Sequence, residues 1–393
     1  MTGELARPHD QRRPEPIDRP LRVAFLANSL AVGGAETQLA RAAMGLASRG
    51  HLVTVAAMLD WPGHQPALRR AGVEVIQLPV RPPARALRAI GATTRLLRRT
   101  APDVVVSFDF QANLLGRFAG HLAGVPVIVS SIRSDRFGGR MRERWIGATD
   151  RLATATTTNS DVVAGDLVER GLVAPDRIAV IPNAVDLDAL QRSASVRAEV
   201  RRELGVDDRT FLWLAVGHLV ERKDHPTLLR AIATLEPLLE RFEIVLAGGG
   251  DLCDLEGDLP PIGTLRTVRG LGWRDDVPEL MAAADALVSS SRWEGTPNAI
   301  LEAAATGLPI VATRAGGTAE VVRDGVSAEL VDVGDDAALA AAMARIMARS
   351  ADERASMGAA GRTHVERRFA AAQVVGEWET LLRRLVDTAA VPR

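Results

Sequence analysis

The chain has 393 residues, of which 47% are hydrophobic and 25% charged, with a formal net charge of −1. That is the balance of a soluble globular protein, and the length points to two domains rather than one core. No run of about 18 apolar residues marks a transmembrane helix, the opening "MTGELARPHDQRRPEPIDRP" lacks the apolar core of a signal peptide, and the single Cys253 excludes an intrachain disulfide and fits a reducing cytoplasm.

Residues 1–20 are charged and proline-rich and read as a disordered tail. Seven short apolar runs follow: 21–27, 52–58, 73–78, 103–108, 126–131, 152–158 and 178–182. Helical patterns lie between them, as at Glu36–Arg49 and Asn113–Ala123. β-branched runs separated by helices predict parallel sheets covered on both faces. Residues 1–186 carry 24 Arg against 17 acids, a net of +7 hidden beneath the overall −1. The excess lies at Arg81–Arg99 and Arg133–Arg144. Such stretches attract phosphate, lipid headgroups or nucleic acid, or they form a solvated face. Nucleic acid is disfavoured, because Phe137 alone among aromatic residues interleaves with these charges and the chain has no tyrosine.

The polar, helical stretch 187–209 separates this 21–186 domain from a second one, whose strands are expected at 210–217, 242–248, 286–290 and 309–313. The fold class is therefore α/β, two doubly wound domains in tandem. In such sheets ligands bind beyond the carboxyl ends of the strands.

Three loops at strand ends carry the chemistry. In "NSLAVGGAETQLARAA", Gly33 and Gly34 precede a helix expected from Ala35 or Glu36, which suits either an ordinary turn or a backbone approach to an anion. This is not the dinucleotide fingerprint, so NAD is not indicated. In "GHLVERKDHPTLL" stands Lys223, the one lysine beside 47 arginines. It precedes a helix with Asp224 as candidate N-cap and Pro226 in its first turn. A lysine is a compact charge on a flexible stem, suited to reach between two phosphates. In "SSSRWEGTPNAILEAAATGLPIVAT", Thr296 is the candidate N-cap, Pro297 fits the first helical position, and Gly307 ends the helix. Amides from Gly295 to Asn298 would form an anion site. Glu294, before this helix, and Glu302, on its second turn, are suited to vicinal sugar hydroxyls.

At these loops the chain resembles the retaining GT-B glycosyltransferases of group 1, family 4 type. Glu294, seven residues and Glu302 resemble their E-x7-E motif, within a stretch similar along its whole length. "GHLVERKD" resembles the G-R-L-x-x-x-K element, and "GGAE" the opening loop. The resemblance covers about residues 21–385. It implies two facing Rossmann-like domains, with the second (210–368) binding a nucleotide-diphosphate sugar and a last helix in 369–393 crossing back to the first. By position, Lys223 would meet the diphosphate beside the Gly295–Asn298 amides, with Arg222 helping. Glu302 would hold the ribose and Glu294 the donor sugar. Gly272, Trp273 and Arg274 would contact the base, and Gly33 and Gly34 the donor phosphate or the acceptor. His218 stands where the family has arginine. Ile132 and Arg133 stand where it often has histidine, which makes Arg133 a candidate acceptor or phosphate contact.

The implied reaction is transfer of a sugar to an acceptor hydroxyl with retention, without metal or other cofactor, in glycolipid or cell-envelope polysaccharide synthesis. The acceptor would be a glycan, a lipid-linked sugar or a small molecule. The enzyme would be cytoplasmic, with docking at an anionic inner membrane face as a further expectation. Two other readings share the scaffold, namely a non-catalytic sugar-nucleotide or glycan-binding protein and a sugar-nucleotide 2-epimerase.

Overall fold

Strand β1 (Arg22–Ala27) shows why the first half folds as it does. Its side chains alternate between two cores: Val23 and Phe25 join one, Ala24 and Leu26 the other. A strand buried on both faces must be apolar throughout, and it must lie inside a sheet. The computed structural model describes residues 19–78, 86–134, 136–190, 193–239, 241–250 and 265–390. The expected tail up to residue 18, Arg81 and Arg85 of the first basic stretch, and Cys253 lie outside the described residues.

β1 is followed by β2 (Leu52–Ala57), β3 (Glu74–Gln77), β4 (Val104–Phe108), β5 (Val127–Ser131), β6 (Ala155–Thr158) and β7 (Ile178–Val180). They form a parallel sheet in the order β3-β2-β1-β4-β5-β6-β7. The second sheet comprises β8 (Phe211–Val216), β9 (Phe242–Ala247), β10 (Val268–Gly272), β11 (Ala286–Ser289), β12 (Ile310–Thr313) and β13 (Ala328–Val331). It is also parallel, in the order β10-β9-β8-β11-β12-β13. β8 repeats the logic of β1, with Leu212 and Leu214 in one core and Trp213 and Ala215 in the other.

The sequence reading did not include β10 and β13, the two edge strands. β13 carries Glu329, which pairs with Arg345 and Arg349. An edge strand needs no unbroken apolar run, so its signal is weaker. The stretch expected to be a linker contains the helix Ala194–Glu203, which packs onto the second unit through Val200. Its Arg201 is 2% exposed and donates to the carbonyls of Ala283, Asp207 and Thr210 and to Asp285.

The last helix, Ala371–Ala390, lies on the first sheet. The chain crosses over through Val185, whose amide donates to Phe369 O (2.9 Å) and whose carbonyl accepts from Ala371 N (3.0 Å). Val374, Trp378, Leu381 and Leu382 then enter the same core as Val23 and Phe25. Glu379 pairs with Arg49 (2.9 Å) and His51 (3.1 Å). The two units also meet at Glu320, which accepts from Ser160 Oγ (2.9 Å) and from the amides of Asp161 (3.2 Å) and Val162 (3.0 Å). A carboxylate of the second unit thus satisfies the N-terminal amides of a first-unit helix, Asp161–Glu169.

Replacing Trp378, 3% exposed and 6.1 Å from the Phe108 ring, leaves a cavity where the last helix meets the first sheet. Trp378→Ala should cost ~3–5 kcal/mol, read as a lower urea midpoint. An unchanged midpoint would show that the helix does not stabilise the first unit.

Candidate active site

The loop after β8 is shaped by Gly217, which has φ 153°. A Cβ there would stand 2.8 Å from Lys223 Cε and 3.0 Å from its Cδ, so the lysine stem runs across bare backbone into the cleft. Lys223 Nζ lies 2.6 Å from Glu294 Oε1, and Arg222 Nη1 lies 3.0 Å from Oε2. Ser291 Oγ donates to Oε1 as well (2.9 Å). Glu294 is 4% exposed. Burial alone would raise its carboxyl, but Lys223 and Arg222 outweigh burial and hold it below the usual carboxylate range.

Asp224 flanks the helix His225–Leu235 in the left-handed region (φ 47°), and its carboxylate caps no amide. It holds the expected N-cap place, but its carboxylate instead accepts from Thr227 Oγ1 (2.9 Å) and pairs with Arg292 (3.0 Å).

The acidic-motif helix runs Asn298–Thr306, with Pro297 rather than Thr296 at the N-cap place and Gly307 ending it at φ 76°. Thr296 Oγ1 is taken by Asn159 O of the first unit (2.6 Å). Pro297 has no N–H, so the expected Gly295–Asn298 set of amides lacks one member. Asn298 faces the first unit too. Its Nδ2 donates to Gly34 O (3.1 Å), and its Oδ1 accepts from Gln38 (3.1 Å) and Asn183 (2.6 Å). A Cβ on Gly295 would stand 2.4 Å from Arg133 O, so only glycine admits this close approach. Glu302 lies 3.3 Å from Arg41, and burial raises its carboxyl against the pull of that arginine.

The helix after the first loop starts at Gly34, one residue earlier than expected, with Gly33 at its N-cap. His218 Nδ1 accepts from Gly249 N (3.1 Å), so a neutral ring carries its proton on Nε2. Arg274 is committed to Asp276 (2.5 Å) and Glu203 (3.0 Å), whereas Trp273 is 54% exposed. Gly272 O accepts from Gly248 N (2.8 Å).

Every residue expected to contact donor or acceptor lines one cleft of about 700 Å³ between the two sheets, except Gly272 and Pro297. Gly272 lines a smaller neighbouring cavity with Gly217 and Gly248. The sequence reading missed Asp109, Arg41, Asn159 and Asn183, which also line the cleft. Asp109 follows β4 at φ 70°, and its carboxyl is pushed up to about 6 by burial and by Glu36, against Arg133 and Arg222. Its place directly after a buried strand was a readable signal, as Lys223 was. Arg41 had none, because it lies within a helix and is one of the chain's 47 arginines. Among the described residues no group of three or more His, Cys, Asp or Glu is placed to hold a metal ion. Nor is any helix among them long and apolar enough to cross a membrane.

Comparison with known proteins matches residues 210–349 to the family "Glycosyl transferases group 1" and residues 33–184 to "Glycosyl transferase 4-like domain". The chain is 28% identical over 275 residues to the Escherichia coli UDP-Gal:alpha-D-GlcNAc-diphosphoundecaprenol alpha-1,3-galactosyltransferase, covering 66% of this chain and 70% of that protein. It is 30% identical over 361 residues to the D-inositol 3-phosphate glycosyltransferase of Acidothermus cellulolyticus, covering 80% and 78%. With several further curated relatives the chain spans only about half of their length. The crystal structure of Anabaena HepE in complex with UDP and glucose superimposes with a TM-score of 0.81 at 23% identity, over 92% of this chain and 99% of that one, and shares the fold.

Asp109 sets a pH dependence. Its folded value of about 6 lies above the ordinary 3.8. Through that window the unfolded chain has lost a proton that the folded chain keeps, so stability falls as pH rises. Asn tolerates positive φ, and Asp109→Asn should flatten the decline in Tm between pH 4 and 6.5. Parallel curves for the two proteins would refute the raised value.

Proposed function

The chain belongs to the group 1 glycosyl transferases, and we propose that it is a retaining, metal-independent member that moves a sugar from a nucleoside diphosphate to an acceptor hydroxyl in glycolipid or cell-envelope polysaccharide synthesis. One observation carries this reading: Lys223 and Arg222 converge on buried Glu294 in the cleft that Glu302 also lines.

In sugar transfer the transition state is oxocarbenium-like, and negative charge grows on the departing phosphate. Preorganised cations lower that barrier most when they are held in a site shielded from water. Lys223 and Arg222 supply such charge, which is why no metal is needed in this reading. A diphosphate arriving at Lys223 takes over part of its pairing with Glu294. Glu294 then has an oxygen to accept hydroxyls of the donor sugar, and Glu302 serves the ribose. His218 adds an Nε2–H donor where a guanidinium would add charge, so more of the load falls on Lys223 and Arg222. Trp273 lies beside the base, and Arg133 stands on the acceptor side. The acceptor oxygen attacks from the face the phosphate leaves, and that phosphate takes the acceptor proton. The UDP-sugar donor named for the E. coli relative supports a nucleotide-sugar donor, and its lipid-linked acceptor supports a glycan or lipid-linked one.

A screen of UDP-, GDP-, ADP- and TDP-sugars by thermal shift identifies the donor, because only the matched one stabilises the fold substantially. With that donor, Lys223→Ala should lower turnover at least ~100-fold, the scale of losing one preorganised electrostatic donor. The product should keep the donor's anomeric configuration by NMR. Near-normal turnover in the variant would sink the role of Lys223, and an inverted product would sink retention.

Docking at an anionic inner membrane face has support in the helix Arg140–Thr149, where Met141 and Trp145 are exposed among arginines. Co-sedimentation with phosphatidylglycerol vesicles should exceed that with phosphatidylcholine and should fall in Met141→Ser/Trp145→Ser. Equal recovery with both lipids would rule this docking out.

A further inference from the structure

On the first-domain side, a second cavity of about 240 Å³ adjoins the cleft, and the two share Asp109, Arg133 and Ser134. The donor chemistry above makes no use of it. Arg133, Arg136 and Arg142 all line this side cavity. Each guanidinium lies over an aromatic ring: Arg133 over Phe108 at 5.3 Å, Arg136 over Trp293 at 4.6 Å and Arg142 over Phe110 at 5.3 Å. Stacking engages the face of a guanidinium and leaves its N–H edge available for hydrogen bonds. Arg133 gives part of that edge to Ser131 and Asn183, and Arg142 gives part to Phe137 O (3.2 Å). Trp293 immediately precedes Glu294, so the Arg136 stack ties this cavity to the donor side of the cleft.

Oxygen acceptors share the space, Asn113 and Asp109 among them. Asn113 lines the side cavity, and its Oδ1 is buried without a hydrogen-bond partner while its Nδ2 donates to Ser131 O (2.9 Å). Asp109 stands at the mouth, in both cavities, on a backbone at φ 70°. Among the described residues lining this small space, three cations and one carboxylate leave a positive field that an anion offsets. Arginine edges match phosphate oxygens, and the Asp109 and Asn113 oxygens match hydroxyl donors.

We propose that this side cavity is the acceptor subsite, and that the acceptor carries a phosphate held by Arg133, Arg136 and Arg142 while a hydroxyl is held by Asp109 at the mouth. The proposal rests on the glycosyl-transfer reading. The phosphate of a soluble sugar phosphate and the diphosphate of a lipid-linked sugar share this chemistry.

The test is calorimetry on the full chain, saturated with whichever of UDP, GDP, ADP or TDP binds. The probes are glucose 1-phosphate, decyl-diphosphate-linked glucose and methyl glucoside. Phosphate-bearing probes should bind at least ~10-fold more tightly than methyl glucoside, as charge-assisted bonds to arginine imply. Arg136→Gln/Arg142→Gln, which changes two exposed side chains, should remove that margin and leave nucleotide affinity unchanged. Asp109→Asn should weaken all three probes. A preference for the decyl probe assigns a lipid-linked acceptor, and a preference for glucose 1-phosphate assigns a soluble one. Equal binding of all probes overturns the proposal. So does a margin that survives in the double variant but vanishes in Lys223→Ala, since the phosphate would then sit at the donor loop. If no nucleotide binds, the donor reading fails, and the double variant without nucleotide still decides the subsite.

Discussion

A carboxylate with 4% exposure stays ionised only where cations meet it, and in Glu294 two do. Removing one partner from such a buried pair typically costs ~3–5 kcal/mol, because the other charge is stranded. Much local structure serves this contact. Gly217 clears a path for the lysine stem, the one-turn helix Glu221–Lys223 presents both cations together, and Ser291 adds a hydroxyl. The same cluster ties the loops after β8 and β11 together. A site held in this way has its charges in place before a ligand arrives, which is the condition for electrostatic stabilisation without reorganisation.

The second constraint is that the cleft has two walls from different sheets, and their relative position must be held. Side chains of the acidic-motif loop do this directly. Thr296 and Asn298 reach Asn159, Gly34, Gln38 and Asn183, while Arg41 reaches back to Glu302. The last helix works at a distance from the cleft, continuing the second unit's chain into the first unit's core. Apolar burial on one side and polar contacts at the cleft therefore act on the same relative placement.

Legibility of the fold followed from burial. β1 and β8 sit in sheet centres with both faces covered, so their sequences are unbroken apolar runs. β10 and β13 sit at edges, and β13 accommodates an acid, so the apolar signal fades there. Neither Thr296 nor Asp224 caps an amide with its side chain, although Asp224 does hold the N-cap place, and the two share one cause. Both residues have a helix-capping type, but in each a longer-range partner outcompetes the adjacent amides. Local propensity is a statement about neighbours in the chain, and a buried oxygen takes whichever donor or acceptor the packing brings to it.

By itself the sequence determined that two parallel α/β units stand in tandem, that Gly33, Lys223 and Glu294 each lie between a strand and the helix that follows it, with Glu302 on the helix after Glu294, and that Gly307 ends that helix. These follow from the periodicity of apolar residues and from backbone needs that few residue types meet. Only the tertiary structure decided that Lys223 and Arg222 share Glu294, that Arg41 meets Glu302, and that Asp109 stands at the mouth of an arginine-lined side cavity. Each of these joins residues from separate strand-to-helix loops or from both units. Such pairings are set by how the two sheets face one another, and spacing along the chain carries no record of that.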